Sequence, residues 1–147
     1  MKTINKYMSL AWALLCVCSL SFISCKGNEE EKPAAPTIVI AEANIEEESE
    51  LCVEASVKAP GKTAAVSVSV RSADGSALKF TEKVTGVAYI GVLEVPEFHK
   101  HFDIADKGLT EGDILEFTVT DAFGQTTTAK KSITEEEEDE HEHHNHK

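Results

Sequence analysis

The stretch Leu51-Cys52-Val53-Glu54-Ala55-Ser56-Val57-Lys58 alternates apolar and polar residues with a period of two. Successive side chains of a β-strand point to opposite faces, so this alternation predicts a strand with one buried face. Cys52 is placed on the face opposite Leu51 and Val53. Short strand-like patterns recur along residues 36–134 without a clear helical periodicity, and the chain therefore predicts an all-β domain.

Turn signals divide this region into seven or eight short strands, which predicts an antiparallel β-sandwich. The predicted strands cover 37–43, 51–58, 66–71, 78–84, 87–95, 98–104, 115–119 and 125–133. Asp74-Gly75 predicts a hairpin turn, because both residues tolerate positive φ, and residues 121–124 predict the last hairpin. Pro96 cannot donate to a strand ladder and indicates a sheet edge or a bulge. Residues 108–112 are expected to hold one helical turn.

The last hairpin resembles the closing strands of bacterial immunoglobulin-like domains. Between Gly112 and Thr128, an acidic residue, Asp121, ends one strand and Gly124 begins the return. Together with His99-Lys100-His101-Phe102-Asp103-Ile104, this makes the chain similar to Bacteroidota-type surface lipoproteins that consist of one such domain and have no established function. The resemblance implies an immunoglobulin-like sandwich, but the Cys…Trp…Cys core of antibody domains is absent from the sequence.

An apolar segment near the amino terminus predicts export and lipidation. Met8–Ile23 carries no charge, follows two lysines and is shorter than the ~20 residues that a membrane-spanning helix needs. Of the three cysteines in this part of the chain, only Cys25 follows a small residue, Ser24. The stretch resembles the lipobox of bacterial lipoproteins, which implies cleavage before Cys25 and acylation of this residue as the membrane anchor. The alternatives are an ordinary secreted protein that is cut near Cys25 and left unlipidated, and an uncleaved membrane anchor.

The residues after Cys25 bear on location. Lys26-Gly27-Asn28-Glu29-Glu30-Glu31 resembles the surface-export signal of such lipoproteins, which implies the outer membrane and an exterior-facing domain. A periplasm-facing anchor is the alternative, because a run of like charges also serves as a solvated tether. The predicted organisation is a signal peptide over 1–24, an acidic tether over 25–35, the sandwich over 36–134 and a disordered acidic, histidine-rich tail over 135–147.

The processed chain is strongly acidic. Removing residues 1–24 takes away two lysines and no acidic residue, which changes the formal net charge from −12 to −14. Such a chain repels phosphate backbones, so nucleic acid is not an expected partner. The expected partners are the membrane, through the anchor at Cys25, and a protein, peptide or glycan ligand.

No recognisable catalytic motif lies in the predicted domain. A Gly-x-Ser-x-Gly elbow, a His-Glu-x-x-His helix and a phosphate-binding glycine loop are all absent from the sequence. We therefore expect a protein that is not an enzyme and requires no cofactor. Cys52 is the only cysteine left after processing and lipidation, which excludes an intramolecular disulfide. It is expected to be a small buried residue, whereas an exposed thiol would form a disulfide-linked dimer.

Two histidines and an aspartate form a candidate metal site. His99, His101 and Asp103 alternate along a predicted strand, so they point the same way with neighbours ~6–7 Å apart. Two imidazoles at this spacing can share one Zn, Ni or Cu ion, with the carboxylate as a further ligand. The alternative is the polar side of an amphipathic strand whose other side carries Phe98 and Phe102.

The carboxyl-terminal tail offers more imidazoles. Its histidines, interleaved with acidic residues, are His141, His143, His144 and His146. Histidine-rich tracts bind Zn, Ni or Cu through neutral imidazole, and ordering a flexible tract makes this binding weak. The alternative is a solvated acidic tail that responds to pH.

The sequence leaves two hypotheses for function. The first is a lipid-anchored, cell-surface interaction module that is not an enzyme and whose ligand is unknown. The second is the capture of a divalent transition metal by the tail, with or without His99 and His101. The two differ in whether the ligand is a macromolecule or an ion.

Overall fold

The computed structural model describes residues 31–135, and these form strands and no helix. The predicted all-β sandwich is therefore confirmed. The predicted signal peptide, the lipidation site and the four tail histidines lie outside the described residues. The strands are β1 (Thr37–Glu46), β2 (Glu50–Lys58), β3 (Thr63–Arg71), β4 (Leu78–Val84), β5 (Glu94–Asp103), β6 (Ile114–Asp121), β7 (Thr126–Ser132) and β8 (Thr134–Glu135).

The strands form two four-stranded sheets. The first sheet has the order β5-β2-β1-β8 and the second has the order β4-β3-β6-β7. All neighbouring strands are antiparallel except β1 and β8, which are parallel. In seven-strand immunoglobulin sandwiches, the first, second and fifth strands share one sheet, and the third, sixth and seventh share the other. The same division occurs here, with β4 paired to β3 and β8 added to the first sheet.

Aromatic rings from both sheets meet in the core. Phe98 of β5 and Phe117 of β6 lie 4.9 Å apart at an interplanar angle of 85°. Phe102 and Phe80 form a second edge-on pair at 5.8 Å. Edge-to-face geometry is favoured by the ring quadrupoles, and all four rings are buried. Because Phe98 and Phe102 occupy the inner face of β5, the alternate residues of that strand face outward.

The predicted strand over 87–95 is wrong. Most of this stretch is a loop, and β5 begins only at Glu94. Gly86 and Gly91 have φ values of 128° and 81°, which glycine adopts at little steric cost but a strand does not use. Its apolar residues cover the edge of the core, where the Tyr89 ring packs against a core phenylalanine. The apolar run therefore reflects a packed loop and not a ladder strand.

Thr63 at the start of β3 fixes this loop. Its buried hydroxyl donates to the carbonyl oxygen of Tyr89 at 2.7 Å and accepts from the Val92 N–H at 3.2 Å. The Gly91 N–H donates to the Thr63 carbonyl oxygen at 2.7 Å. These hydrogen bonds satisfy backbone groups of the loop. In a strand, the same groups would be paired with a neighbouring strand.

The helical turn expected over 108–112 is also wrong, since this segment is a loop that ends in a turn. Gly108 and Gly112 have φ values of 65° and 86°, outside the range of a right-handed helix. The carboxylate of Asp113 holds the loop by accepting from the Thr110 N–H at 2.9 Å and from the Lys79 ammonium at 2.7 Å.

Pro96 lies at a sheet edge and at a bulge, as its chemistry predicts, although it falls inside β5 and not at a strand end. Ala55 of β2 is opposite Phe98 and Val57 is opposite Val95, so two residues of β5 oppose one residue of β2. β5 is an edge strand of the first sheet. The missing N–H of the proline therefore leaves the ladder intact.

Both predicted hairpin turns are confirmed, with φ values of 75° at Gly75 and 78° at Gly124. The second turn is held by Asp121, whose Oδ1 accepts from the N–H groups of Phe123 at 2.9 Å and Gln125 at 2.8 Å. Burial opposes ionisation of this carboxyl, but the hydrogen bonds from Gln125 and Phe123 outweigh burial and lower the pKa of Asp121.

Both ends of the described chain are held by the sandwich. The side-chain amide of Gln125 donates to the carbonyl oxygen of Pro33 at 2.8 Å. At the other end, Thr134 and Glu135 pair with β1, and the Thr134 hydroxyl donates to Oδ1 of Asn44 at 2.8 Å. The described chain therefore leaves the fold alongside β1.

The turn between β1 and β2 is strained. Glu47 and Glu48 have φ values of 47° and 58°, and the Ser49 N–H donates to the Glu46 carbonyl oxygen at 3.2 Å. Two consecutive residues of this three-residue connection thus have positive φ, a conformation that Asn and Gly adopt more readily than Glu. A residue with a Cβ in this region costs about 1–2 kcal/mol. The turn places Glu46 opposite Glu50 on neighbouring strands.

Replacing this pair by Glu47→Asn and Glu48→Gly should raise the free energy of unfolding by about 1–2 kcal/mol, because the new residues tolerate positive φ. Urea denaturation followed by circular dichroism measures the change. The matched control is Glu47→Gln with Glu48→Gln, which removes the same charges and keeps both Cβ atoms. An equal gain in the control would show that charge repulsion, and not backbone strain, is the cause.

Candidate metal centre

The outer face of the first sheet gathers histidine, cysteine and carboxylate side chains. In the ladder, His101 of β5 is opposite Cys52 of β2, and His99 is opposite Glu54. Glu46 of β1 is opposite Glu50 of β2. Directly opposed residues point to the same face, so three neighbouring strands contribute side chains to one surface.

Three potential metal ligands converge on this face. The Sγ of Cys52 lies 3.6 Å from Nε2 of His99, and the Nε2 atoms of His99 and His101 lie 3.0 Å apart. All three donor atoms lie within 4.8 Å of one another. The contact between the two Nε2 atoms requires one of them to carry a proton, and a metal ion bound at this point would replace that proton.

Carboxylates face the outer nitrogen of each imidazole. Nδ1 of His99 lies 3.4 Å from Glu54, and Nδ1 of His101 lies 3.3 Å from Glu46 and 3.4 Å from Glu50. A carboxylate that accepts from Nδ1–H leaves Nε2 with its lone pair directed at the cluster. Metal-binding histidines in proteins commonly have such a partner, which fixes the ring and increases its basicity.

The structure brings together two of the three residues predicted on this strand. His99 and His101 are adjacent and about half exposed. Asp103 is not in the cluster, and its Oδ1 instead accepts from the Ala105 N–H at 3.0 Å. Cys52 is the partner that sequence reasoning missed. It is buried as expected, at 3% exposure, but its thiol lies against the histidines on the outer face. The alternation of β2, which places Cys52 and Leu51 on different faces of the strand, was the available sequence signal for its position.

Burial raises the pKa of the Cys52 thiol to about 11, with further contributions from the charge and hydrogen bond of Glu46 and from the charges of Glu54 and Glu42. The thiol is therefore protonated at neutral pH and is a poor nucleophile. A metal ion would have to displace this proton. The same carboxylates that disfavour the thiolate would attract a cation to the site.

Several other charged groups in the described residues have structural partners. Glu116 binds Lys130 at 2.7 Å and Arg71 at 3.2 Å, and the hydrogen bond from Lys130, against the opposing effect of burial, lowers the pKa of Glu116. Within residues 31–135, every buried side-chain nitrogen or oxygen has a hydrogen-bond partner. These groups stabilise the sandwich and leave the cysteine–histidine cluster as the candidate site.

Comparison with known proteins does not assign the chain to a family. A scan against protein-family models found no match, and a search of curated proteins found no match either. Within residues 31–135, no helix has the length and hydropathy that crossing a lipid bilayer requires.

The Cys52 thiol should react slowly with iodoacetamide at about pH 8, because only about one thiol in a thousand is ionised when the pKa is about 11. The measurement is mass-spectrometric alkylation of a full-length chain with Cys16→Ala, Cys18→Ala and Cys25→Ala, called the Cys52-only chain. Glu46→Gln should speed the reaction by lowering the thiol pKa. Unfolding in urea should restore an ordinary thiol rate, and equal rates before and after unfolding would contradict the prediction.

Proposed function

We propose that the protein is a non-enzymatic binding module whose ligand is a transition-metal ion. The observation that carries the proposal is the convergence of Cys52 Sγ, His99 Nε2 and His101 Nε2 within 4.8 Å of one another. The carboxylates on the far side of both imidazoles support it further, because a carboxylate near Nδ1 favours the tautomer whose Nε2 can bind a metal ion. A protein, peptide or glycan ligand remains a prediction from the sequence alone.

The donor set indicates the class of metal. A thiolate and two imidazoles suit zinc and copper, whereas calcium and magnesium prefer oxygen ligands. Nickel also binds imidazole, but the thiolate favours zinc and Cu(I) over nickel. Three protein ligands leave one position open in the tetrahedral geometry of zinc. An exposed site of this kind suits reversible capture of an ion.

The proposed location is the outer membrane, with Cys25 as the lipid anchor and the sandwich facing the cell exterior. The support is the resemblance of the segment before Cys25 to a lipobox and of the acidic run after it to an export signal. An anchored domain would hold the metal site close to the membrane surface.

Zinc titration of the Cys52-only chain in detergent tests the metal proposal. Cys52→Ser should lower the zinc affinity by at least ~100-fold, because loss of an outer carboxylate alone typically costs ~10–100-fold. The affinity should rise about tenfold per pH unit from about pH 7 to 9, because each ion bound releases the thiol proton. In Cys52→Ser this rise should disappear.

Asp103→Asn is the matched control, because Asp103 shares the strand with both histidines but lies outside the cluster. Its loss should change the zinc affinity by less than about fivefold, since single exposed charges contribute ~0–1 kcal/mol. Equal losses in Asp103→Asn and Cys52→Ser, or no saturable zinc binding by the Cys52-only chain, would remove the proposed function.

Lipidation gives a separate prediction. Cys25→Ala should move the protein from the membrane fraction to the soluble fraction of cell lysates, because the acyl chains supply the anchor. Immunoblotting of the two fractions measures this change. Cys18→Ala is the control and should stay in the membrane fraction, since Cys18 follows the bulky Val17. Retention of Cys25→Ala in membranes would contradict the lipoprotein interpretation.

A further inference from the structure

The outer nitrogen of the His101 ring faces two carboxylates. Its Nδ1 lies 3.3 Å from Oε2 of Glu46 and 3.4 Å from Oε2 of Glu50. Nδ1 of His99 has one such neighbour, the carboxylate of Glu54 at 3.4 Å. A ring nitrogen carries at most one proton, so Nδ1 of His101 cannot form a well-aligned hydrogen bond to both glutamates. The second carboxylate is therefore in excess of what a neutral imidazole uses.

The distances around this nitrogen fit a metal ion better than they fit hydrogen bonds. N–H···O hydrogen bonds in proteins measure about 2.7–3.2 Å between nitrogen and oxygen. Zinc binds nitrogen and oxygen at about 2.0–2.2 Å, so two ligands of a tetrahedral ion lie roughly 3.4 Å apart. The two contacts of the His101 Nδ1, at 3.3 and 3.4 Å, match this second value. Glu46, Glu50 and His101 each offer one ligand atom, and these atoms lie within 4.8 Å of one another; we call them the glutamate–histidine cluster.

The two glutamates are held together with no strong cation beside them. Glu46 and Glu50 are directly opposite in the ladder of β1 and β2, where like charges are destabilising. Among the ion pairs of residues 31–135, His101 is the partner of both carboxylates, and neither is paired with a lysine or arginine. Their side chains are 27% and 55% exposed, which leaves room for an ion and its water. A divalent cation would offset both charges.

We propose that a second divalent transition-metal ion binds at the glutamate–histidine cluster, and that the ring of His101 bridges the two ions. Its Nε2 binds the first ion together with Cys52 and His99. Its Nδ1 binds the second ion together with Glu46 and Glu50. The inference deepens the proposed function and rests on it, because the first ion occupies the cysteine–histidine cluster.

Protons and charges balance when two dications are bound. The first ion releases the thiol proton of Cys52 to solvent, and the second releases the Nδ1 proton of His101. The thiolate, the deprotonated ring and the carboxylates of Glu46 and Glu50 then carry four negative charges against four positive ones. Loss of the thiol proton also removes the hydrogen bond between Cys52 and Glu46, which leaves that carboxylate available to the second ion.

The donor atoms indicate which ions suit the second position. One imidazole nitrogen and two carboxylate oxygens leave a tetrahedral ion one position for water. Carboxylates suit harder ions such as manganese, and imidazole suits zinc, copper and nickel. Zinc binds both kinds of ligand as well as thiolate, so zinc fits both positions and serves as the probe.

The number of zinc ions bound per chain tests the inference. The background chain is the Cys52-only chain with its four tail histidines replaced by asparagine, which keeps ions bound by those histidines out of the count. Equilibrium dialysis over a range of free zinc concentrations should give two ions per background chain. The second should bind more weakly than the first, because it has no thiolate ligand.

Two matched pairs of substitutions separate ligation from charge. In the background chain, Glu46→Gln with Glu50→Gln should lower the count from two to one. The control, Glu42→Gln with Glu54→Gln, removes another directly opposed pair of the same strands and the outer carboxylate of His99. It should still bind two ions, with the first weakened by ~10–100-fold as expected for loss of an outer carboxylate.

Imidazole ¹⁵N NMR of the background chain supplies the direct readout. The first equivalent of zinc should shift the Nε2 resonances of His99 and His101. The second should shift Nδ1 of His101 and leave Nδ1 of His99 unchanged, because the bridge uses one ring only.

Three results would overturn the inference and leave the proposed function in place. They are one zinc ion per background chain, two ions in Glu46→Gln with Glu50→Gln, and loss of the second ion in the control pair as well. The last would show that net charge, and not ligation, retains the second ion. If the background chain binds no zinc at the sheet, the proposed function and the inference fail together.

Discussion

The pairing of β2 between β1 and β5 is the constraint on which both the core and the candidate site depend. Leu51 is opposite Phe102 on the inner face, and the next pair, Cys52 and His101, lies on the outer face. A slip of one residue would turn the inner pair toward solvent, so burial fixes the register. Core packing therefore sets the separation between the thiol and the imidazoles.

The sequence predicted which face of its strand a residue occupies, but not which residues of other strands it contacts. Alternation predicted that Cys52 lies opposite Leu51 and that His99 and His101 share one side of a strand. It could not predict that the cysteine meets the histidines, because the contact joins residues 47 positions apart and depends on which strands pair. The mistaken strand over 87–95 has a similar cause, since hydrogen bonds from a distant strand hold that apolar run as a loop.

The carboxylates on the outer face of the first sheet have different effects in the absence and in the presence of a cation. Without metal, burial and nearby carboxylates keep the Cys52 thiol protonated, which protects it from oxidation and alkylation. With a cation present, the same carboxylates lower its energy at the site and orient both imidazoles. The strained turn at Glu47 and Glu48 is consistent with this, because its geometry places Glu46 and Glu50 beside His101. Strained backbone of this kind clusters at functional sites in proteins.

The core packs without the cysteine–histidine cluster, which limits the part that a bound ion would play in folding. Small zinc domains fold only when metal is bound, because the metal replaces a missing core. Here the phenylalanines of both sheets are buried against each other, and the cluster lies on the opposite side of the first sheet. The free energy of binding an ion at the cluster would therefore not be consumed by folding. An ion at the half-exposed imidazoles of this scaffold could therefore enter and leave without unfolding the domain, as the proposed reversible capture requires.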